Sequence, residues 1–369
     1  MRIVHLAETM EMGGAEKLIS LLCRWQRQQG HEVRVHCLYR LGPLGEALRK
    51  DGFEVVLYDA SGIGGRAGNV YRQLNRWKPD VVHCHNATAA IIGSIPSRNA
   101  GVKNIVVTRH GIVAPPYLLR REVKFAFASR WCNWIVAVCE QARSNLMDAP
   151  FAARDKVVRI YNAAHIRNGG APTPPTKSGF TLLHVGRLAP VKDQDTLLKG
   201  FALAKSTVPD LHLWIVGGGP LQAKLVALSR EIGVRDSVTF FGEQADVSPF
   251  LTAADLFVLS SLSEGVPVSL LEALASGLPA VVTEVGGMAE IARLSNATLT
   301  VPPSDPSALA SAVEKMATSR DRLPQLRKNA RECYAANFTL ERMGSEYMAL
   351  YSRPGSKSAW NCFTHNSND

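Results

Sequence analysis

The chain has 369 residues, 46% of them hydrophobic and 20% charged, with a formal net charge of +10. This length and composition are ordinary for a soluble globular protein of about two domains. No apolar run approaches the roughly 18 residues of a membrane span, and residues 2–6 resemble a strand rather than a secretory signal, so we expect a cytoplasmic protein.

The basic excess lies entirely in the first half of the chain. Residues 1–170 contain 24 Lys and Arg against 13 Asp and Glu, whereas residues 171–369 contain 18 against 19. Such a one-sided excess favours an anionic partner, namely nucleic acid, a membrane surface or a phosphorylated acceptor, although surface charge can also serve solubility alone. The seven cysteines are odd in number and include no C-x-x-C pair, which indicates reduced thiols without disulfides or zinc.

Short runs of Val, Ile and Leu alternate with amphipathic stretches, as expected for parallel strands covered by helices on both faces. The first series of predicted strands covers residues 3–6, 33–38, 54–58, 80–85, 104–108, 134–138 and 157–161. The second series covers residues 180–185, 211–216, 237–241, 255–259, 279–283 and 297–301. A Gly- and Pro-rich linker at 167–179 separates them, and ligands of two such sheets bind at the carboxyl ends of the strands, in a cleft between the domains.

A glycine turn follows the first predicted strand. Gly13 and Gly14 precede a long helix, and they suit either a tight strand-to-helix turn or a close approach of the backbone to a ligand. The pattern is not G-x-G-x-x-G, so a dinucleotide is poorly supported.

Histidines mark the ends of two later strands. His110 emerges at the carboxyl end of the strand 104–108, where it is either structural or a ligand contact. His83 and His85 lie two apart on one strand face. They have the spacing of metal ligands, but no third ligand is evident in the sequence, so we interpret them as lining of the core or the cleft.

The segment 116–131 mixes basic and bulky apolar residues. Arg120, Arg121, Lys124 and Arg130 occur among aromatic and aliphatic side chains, a combination that suits a membrane surface. The alternative is that Leu119, Val123, Phe127 and Trp131, spaced by four, form the buried stripe of a domain helix.

Two basic residues follow the first strand of the second series. Arg187 offers a fork of donors and Lys192 a mobile point charge, a pair able to neutralise a diphosphate without a metal. The neighbouring D-x-D at 193–195 resembles a metal signature, but we interpret Asp193 as a helix N-cap. The glycines at 217–219 predict a turn that ends the next strand.

The stretch 263–279 reads as a loop followed by a short helix. We place Pro267 at the first helical position and Gly277 beyond the last turn. The free N–H groups of the first turn suit a phosphate, while Glu264 and Glu272 offer carboxylates to hydroxyl groups on either side of it. A ligand with hydroxyl groups on both sides of a phosphate is what this pattern suits, and a nucleotide sugar has this order of groups. The alternative is that Glu272 is an ordinary exposed helix residue and Glu264 a loop charge stabilised by the helix dipole.

Residues 264–272, with the following Ala-x-Gly-x-Pro, closely resemble the E-x7-E motif of the family 4 retaining glycosyltransferases, and further motifs extend the resemblance over residues 1–350. The resemblance implies the GT-B fold, with two Rossmann-like domains, parallel sheets facing across a cleft, and a C-terminal helix that crosses back. It implies domains at 1–170, which binds the acceptor, and 171–338, which binds the nucleotide sugar, a crossover helix at 339–352 that packs on the first domain, and a loose tail at 353–369.

The resemblance also assigns site residues. It implies that Glu272 holds the ribose, that Glu264 and His110 contact the transferred sugar, and that Arg187 and Lys192 hold the diphosphate. Gly13 and Gly14 would lie beside the donor diphosphate and the acceptor. The remaining donor-binding residues would be Gly242, Glu243, Gly265, Val266, Pro267 and Val268. The family pattern has glycine where this chain has Asp193.

We therefore expect a retaining, metal-independent enzyme that moves a sugar from a UDP- or GDP-sugar to a hydroxyl of a glycan or lipid-linked acceptor. We expect the enzyme to act in the synthesis of cell-envelope polysaccharide or lipopolysaccharide. Its basic domain would dock on the inner face of the cytoplasmic membrane, and we expect no nucleic-acid partner. A nucleotide-sugar epimerase or phosphorylase of the same fold, or an inactive nucleotide-binding scaffold, is the alternative.

Overall fold

The computed structural model describes residues 1–112, 119–149, 153–165, 176–177 and 179–353. Its contacts divide the chain into two compact units. The first unit comprises Met1–Asn162 together with Leu340–Asp369, and the second comprises Ala163–Thr339. The predicted loose tail beyond residue 353 and most of the predicted linker lie outside the described residues.

The first unit is a seven-stranded parallel sheet in the order β3-β2-β1-β4-β5-β6-β7. Its strands are β1 (Arg2–Thr9), β2 (Glu32–Arg40), β3 (Glu54–Leu57), β4 (Val81–His85), β5 (Asn104–Arg109), β6 (Trp134–Ala137) and β7 (Val157–Arg159). Its connecting helices are α1 (Gly14–Gln28), α2 (Gly42–Lys50), α3 (Gly62–Trp77), α4 (Asn86–Asn99), α5 (Leu119–Ser129) and α6 (Glu140–Asp148).

The second unit is a six-stranded parallel sheet in the order β10-β9-β8-β11-β12-β13. Its strands are β8 (Phe180–Val185), β9 (Leu211–Val216), β10 (Val238–Gly242), β11 (Leu256–Leu259), β12 (Ala280–Thr283) and β13 (Thr298–Val301). Its helices are α7 (Gln194–Thr207), α8 (Gln222–Glu231), α9 (Ser248–Ala253), α10 (Val268–Ala275), α11 (Gly287–Leu294), α12 (Pro306–Thr318) and α13 (Leu323–Asn337).

All thirteen predicted strands are present, and the doubly wound architecture is confirmed. The central strands β4, β5, β8 and β11 have every residue buried. Helices cover both faces of a parallel sheet, so its strands are continuously apolar rather than alternating. Within the described ranges, every helix is too short or too polar to cross a lipid bilayer. The six described cysteines are buried free thiols, as predicted.

The last helix, α14 (Leu340–Ser352), belongs to the first unit. The side-chain amide of Asn104 donates to the carbonyl oxygens of Leu350 and Tyr351 at 2.7 and 2.9 Å. The indole N–H of Trp134 donates to the carbonyl of Arg353 at 3.0 Å. These bonds satisfy carbonyl groups that a helix leaves unpaired in its last turn, so β5 and β6 fix the end of α14.

Close packing of α14 on α1 depends on Gly344. A Cβ at this position would lie 2.5 Å from Cε3 of Trp25. We expect Gly344→Ala to lower the free energy of unfolding by about 1–3 kcal/mol, because the added methyl group overpacks this contact.

The matched control is Gly68→Ala, inside α3, where an added Cβ meets nothing within 4 Å. It should raise the stability by up to roughly 1 kcal/mol through helix propensity. Urea unfolding of both variants measures the difference. Equal stabilities would contradict the packing role of Gly344.

Candidate active site

The sheet of the second unit changes its winding direction between β8 and β11, which are neighbours in space. The connections after these two strands run to opposite sides, which opens a crevice at the carboxyl ends of the strands. Arg187 and Lys192 follow β8, and Glu264 follows β11. Three of the charged residues singled out in the sequence therefore flank this opening.

The loops after β8 and β11 are bonded to each other. The Ser260 hydroxyl shares its proton between the carbonyl oxygens of Lys192 and Asp193, at 3.0 and 2.9 Å. The backbone N–H of Leu262 donates to the carbonyl of Val191 at 2.8 Å. Because the two loops hold each other, the backbone positions from which their charged side chains extend are set before any ligand binds.

Lys192 and Glu264 form an ion pair across the crevice. Their side chains are only 19% and 13% exposed, so water screens the pair weakly. The hydroxyl of Ser261 also donates to Oε1 of Glu264 at 2.8 Å. An ammonium group has three donors, so Lys192 keeps two for a ligand while Glu264 holds it in place.

Arg187 is exposed, and its guanidinium has no partner among the described residues. Its backbone is fixed instead, because the Gln194 side-chain amide donates to the Arg187 carbonyl at 3.0 Å. Nδ1 of His184 donates to the carbonyl of Val258 at 3.1 Å, and Nε2 of His184 receives the Gln194 amide at 3.3 Å. Burial lowers the pKa of His184 to about 4, which keeps the ring neutral.

Asp193 has a left-handed backbone conformation, with φ of 46°. The chain therefore turns here with the geometry that glycine adopts most easily, although the residue is an aspartate. Its carboxylate accepts from the Thr196 N–H and hydroxyl at 3.4 and 2.8 Å, which confirms the predicted N-cap of α7. Asp195 pairs with Lys224 at 2.5 Å, so both acids of the D-x-D have protein partners.

The turn into α10 is buried at each of Gly265, Val266, Pro267 and Val268. The placement of Pro267 at the first helical position was wrong by one residue: its ψ of 123° is extended, so it is the N-cap and the helix begins at Val268. No side chain caps this end. The N–H of Gly287, at the start of α11, donates to the Gly265 carbonyl at 2.8 Å.

Glu272 lies in the second turn of α10 and is half-buried. The helix ends at Ala275, and Gly277 follows in the left-handed region with φ of 75°, as predicted for the residue beyond the last turn. The helix therefore spans eight residues, Val268–Ala275, and begins one residue later than predicted.

Gly242 and Glu243 lie beside the glycine turn after β9. The N–H of Gly217 donates to the Gly242 carbonyl at 2.8 Å, and a Cβ on Gly218 would lie 2.9 Å from Cγ of Glu243. A Cβ on Gly217 would collide with the carbonyl of Gly186. The glycines are needed because three loops meet here, which supports the turn interpretation.

In the first unit the winding direction changes between β1 and β4. Gly13 and Gly14 follow β1 and open α1. The Glu16 carboxylate folds back against Gly13 and leaves no room for a Cβ. Burial, with the charge of Glu8 in support, raises the pKa of Glu16. Sequence reasoning missed this carboxylate, which already occupies the helix end where an anion would bind.

His110 follows β5, two strands along from β1. Its backbone N–H donates to the side-chain oxygen of Asn86 at 3.1 Å, and its Nε2 lies 3.0 Å from Nδ1 of His85. Burial lowers the pKa of His110 to about 4. The ring is therefore neutral and can accept or donate only one hydrogen bond at each nitrogen.

His83 and His85 do have a third histidine beside them. His5 on β1 brings one nitrogen of each ring within 4.8 Å of the others. Both nitrogens of His83 are already bonded, to the Tyr351 hydroxyl at 2.6 Å and the Thr108 hydroxyl at 2.7 Å. These partners favour a hydrogen-bonded core over a metal centre. His5 could not be recognised as their neighbour from the sequence, because it lies 78 residues before His83.

Comparison with known proteins adds two family models. Residues 171–333 match the model "Glycosyl transferases group 1" and residues 12–167 match "Glycosyltransferase Family 4". The two matches cover most of each unit.

Individual relatives agree with these models. The chain is 32% identical to a D-inositol 3-phosphate glycosyltransferase of Rhodococcus erythropolis over 86% of this chain and 72% of the relative. It is 29% identical to an Escherichia coli UDP-Gal:alpha-D-GlcNAc-diphosphoundecaprenol alpha-1,3-galactosyltransferase over 59% of this chain and 61% of the relative. Among solved structures, Anabaena HepE in complex with UDP superposes with a TM-score of 0.83 at 19% identity, covering 95% of this chain and all of HepE.

Proposed function

This chain belongs to glycosyltransferase family 4, and from that membership we propose that it transfers a sugar from a nucleoside diphosphate sugar to a hydroxyl group. The observation that carries the proposal is the arrangement at the β8–β11 crevice. Arg187 and Lys192 flank it from one side, and the uncapped start of α10 and Glu264 flank it from the other. This site supplies cations for a diphosphate and carboxylates for hydroxyls.

The main catalytic contribution would be stabilisation of the departing diphosphate. Charge on the leaving oxygens grows as the bond to the sugar breaks, and donors fixed in advance stabilise that charge without reorganising. Lys192 is fixed by Glu264, and the Arg187 backbone is fixed by Gln194. Arg187 adds an exposed fork that can bind two phosphate oxygens at once.

The carboxylates would bind the two ends of the donor. We assign Glu272 to the ribose hydroxyls and Glu264 to hydroxyls of the transferred sugar. Glu264 is held by Lys192 and Ser261, which suits positioning better than covalent attack. Gly242 and Glu243 would border the nucleobase, and Gly265, Val266, Pro267 and Val268 would form the turn around the diphosphate.

The first unit would bind the acceptor. Glu16 disfavours a phosphate at the start of α1, so we assign Gly13 and Gly14 to the acceptor side. His110 would contact a sugar hydroxyl. The Escherichia coli relative is named for a UDP-galactose donor and a lipid diphosphate acceptor, and we propose a UDP- or GDP-sugar and a glycan or lipid-linked acceptor of the cell envelope here.

Loss of either phosphate cation should cost turnover and leave the fold intact. We expect Arg187→Ala and Lys192→Ala each to lower kcat by on the order of 100-fold, the scale for removal of one preorganised donor. The melting temperature should hardly change in Arg187→Ala, whereas Lys192→Ala should lower it modestly because Glu264 loses its partner. The control is Lys199→Ala, an exposed lysine of α7, which should keep full turnover. Near-normal turnover in both site variants would refute the diphosphate assignment.

We also propose that the reaction retains the anomeric configuration and needs no metal. The bond from the anomeric carbon to the phosphate oxygen breaks while the acceptor oxygen bonds on the same face, and the departing phosphate takes the acceptor proton. We expect a chelator to leave the rate unchanged and NMR to find the donor configuration in the product. An inverted product, or a chelated enzyme that only Mg²⁺ or Mn²⁺ restores, would contradict this.

The exposed side of α5 supports docking on an anionic membrane. Val123 and Phe127 are 42% and 51% exposed, so the interpretation of these two residues as a buried stripe was wrong. Arg120, Arg121 and Lys124 are exposed beside them. The buried residues of the helix are instead Glu122, Phe125, Ala126, Ala128 and Ser129. The environment of Leu119 lies outside the described side chains, and Trp131 contacts Phe127.

We expect sedimentation with anionic vesicles that weakens as salt rises, since each cation near the surface contributes about 1 kcal/mol. Changing Arg120, Arg121 and Lys124 to Glu should abolish it. Changing the exposed Lys50, Arg72 and Arg76 to Glu makes the same change in net charge elsewhere on the unit and should preserve most of the binding. Equal loss of binding in both variants would mean that net charge alone, and not the exposed side of α5, causes the binding. Binding to neutral vesicles only would contradict docking of this surface on anionic lipid.

A further inference from the structure

Three histidines of the first unit form one row of hydrogen bonds that begins at Gln26 on α1; His5 and His85 are buried and His110 is half-buried. Oε1 of Gln26 lies 2.8 Å from Nε2 of His5. Nδ1 of His5 lies 3.0 Å from Nε2 of His85, and Nδ1 of His85 lies 3.0 Å from Nε2 of His110. The row thus runs from a helix through β1 and β4 to the residue after β5.

Each ring of the row is neutral. Burial lowers the pKa of His5 and of His110 to about 4. Burial, reinforced by His83 and the other neighbouring rings, holds the pKa of His85 well below its usual value. A neutral imidazole carries a single N–H, with a lone pair on its other nitrogen.

In such a row of neutral rings, every ring carries its proton on the same nitrogen, so the N–H groups all point in one direction along the row. Every contact between two ring nitrogens needs one N–H and one lone pair, so a proton on Nε2 of the first ring requires a proton on Nε2 of each later ring. The Gln26 oxygen can only accept, which places the first proton on Nε2 of His5. The last ring, His110, then carries its proton on Nε2 and a lone pair on Nδ1.

His83 lies beside this row without joining it. Its ring centroid is 4.1 Å from that of His85. Its nitrogens are bonded to Tyr351 and Thr108, so it does not compete for the protons of the row. It therefore contributes packing against the His85 ring rather than a hydrogen bond.

We propose that Gln26, His5 and His85 are positioning residues that fix the tautomer of His110, so that its Nδ1 accepts a hydrogen bond from a hydroxyl of the sugar donor or acceptor. Nδ1 of His110 is buried and has no partner within the described part of the chain. A buried acceptor without a donor is costly, and a polyhydroxylated substrate supplies the donor. The inference rests on the proposed function, which brings such a substrate to this unit.

Two substitutions of Gln26 distinguish its effect on the proton direction of the histidine row from its effect on packing. Gln26→Met preserves the size of the side chain but removes the acceptor, so both directions of the row become available. We expect kcat to fall about tenfold, which corresponds to the loss of one hydrogen bond. Gln26→Glu keeps an acceptor in the same place, as the aspartate of a catalytic triad does for its histidine, and should retain most of the turnover.

Affinity for the nucleoside diphosphate should remain unchanged in Gln26→Met, because the proposed nucleotide site lies in the second unit. A structural defect would instead weaken binding or lower the melting temperature in both variants. Unchanged kcat in Gln26→Met, or equal losses in the Met and Glu variants, would overturn the positioning role.

NMR of the wild-type protein tests the tautomer independently of any activity. In protein labelled with ¹⁵N-histidine, protonated and unprotonated ring nitrogens have well-separated shifts, and His5→Gln, His85→Gln and His110→Gln assign the signals. We expect protonated Nε2 and unprotonated Nδ1 in all three rings. A protonated Nδ1 on His110, or a metal ion bound by these rings, would overturn the inference. Failure of the proposed function would appear differently, as absence of transfer in wild-type protein whose tautomers are as expected.

Discussion

A parallel sheet that reverses its winding direction leaves one place where the loops do not cover the strand ends. Each unit of this protein has such a place, between β1 and β4 in the first and between β8 and β11 in the second. Helix N-termini and loop side chains converge there because the carboxyl ends of all the strands lie at one edge. The positions of Arg187, Lys192, Glu264 and His110 follow from this constraint.

In the second unit, charges of both signs share the opening. Lys192 and Glu264 are poorly exposed and pair with each other. Removing one partner would leave a partly buried charge unpaired, which is costly. The pair therefore holds both side chains in place, while the remaining ammonium protons and the exposed Arg187 are available to an anion. Ser260 and Gln194 donate to the backbone carbonyls of Lys192 and Arg187, so hydrogen bonds preorganise the backbone of the site.

The strands, the two sheets and the placement of Arg187, Lys192 and Glu264 after strands of the second sheet could be predicted from the sequence, because continuous apolar runs and short-range motifs determine them. The side-chain contacts that position these groups could not be predicted. His5 meets His85 across 80 positions, and Gln194 reads as part of a D-x-D although it supports Arg187. Periodicity also left open whether Val123 and Phe127 lie on the buried or the exposed side of α5, because a repeat of four identifies a face without saying which face is covered. Glu16 escaped notice because its role depends on the side chain folding back onto Gly13.

Calorimetric titration of UDP and GDP tests directly whether a nucleoside diphosphate binds at the β8–β11 crevice, because it does not require the acceptor. We expect one of the two to bind the wild-type protein at a single site. Glu272→Gln should weaken it by roughly 10- to 150-fold, which corresponds to about 1.5–3 kcal/mol for a charged hydrogen bond. Equal affinity in the variant would contradict the role of Glu272, and no binding of either nucleotide to the wild-type protein would contradict a nucleotide site at this crevice.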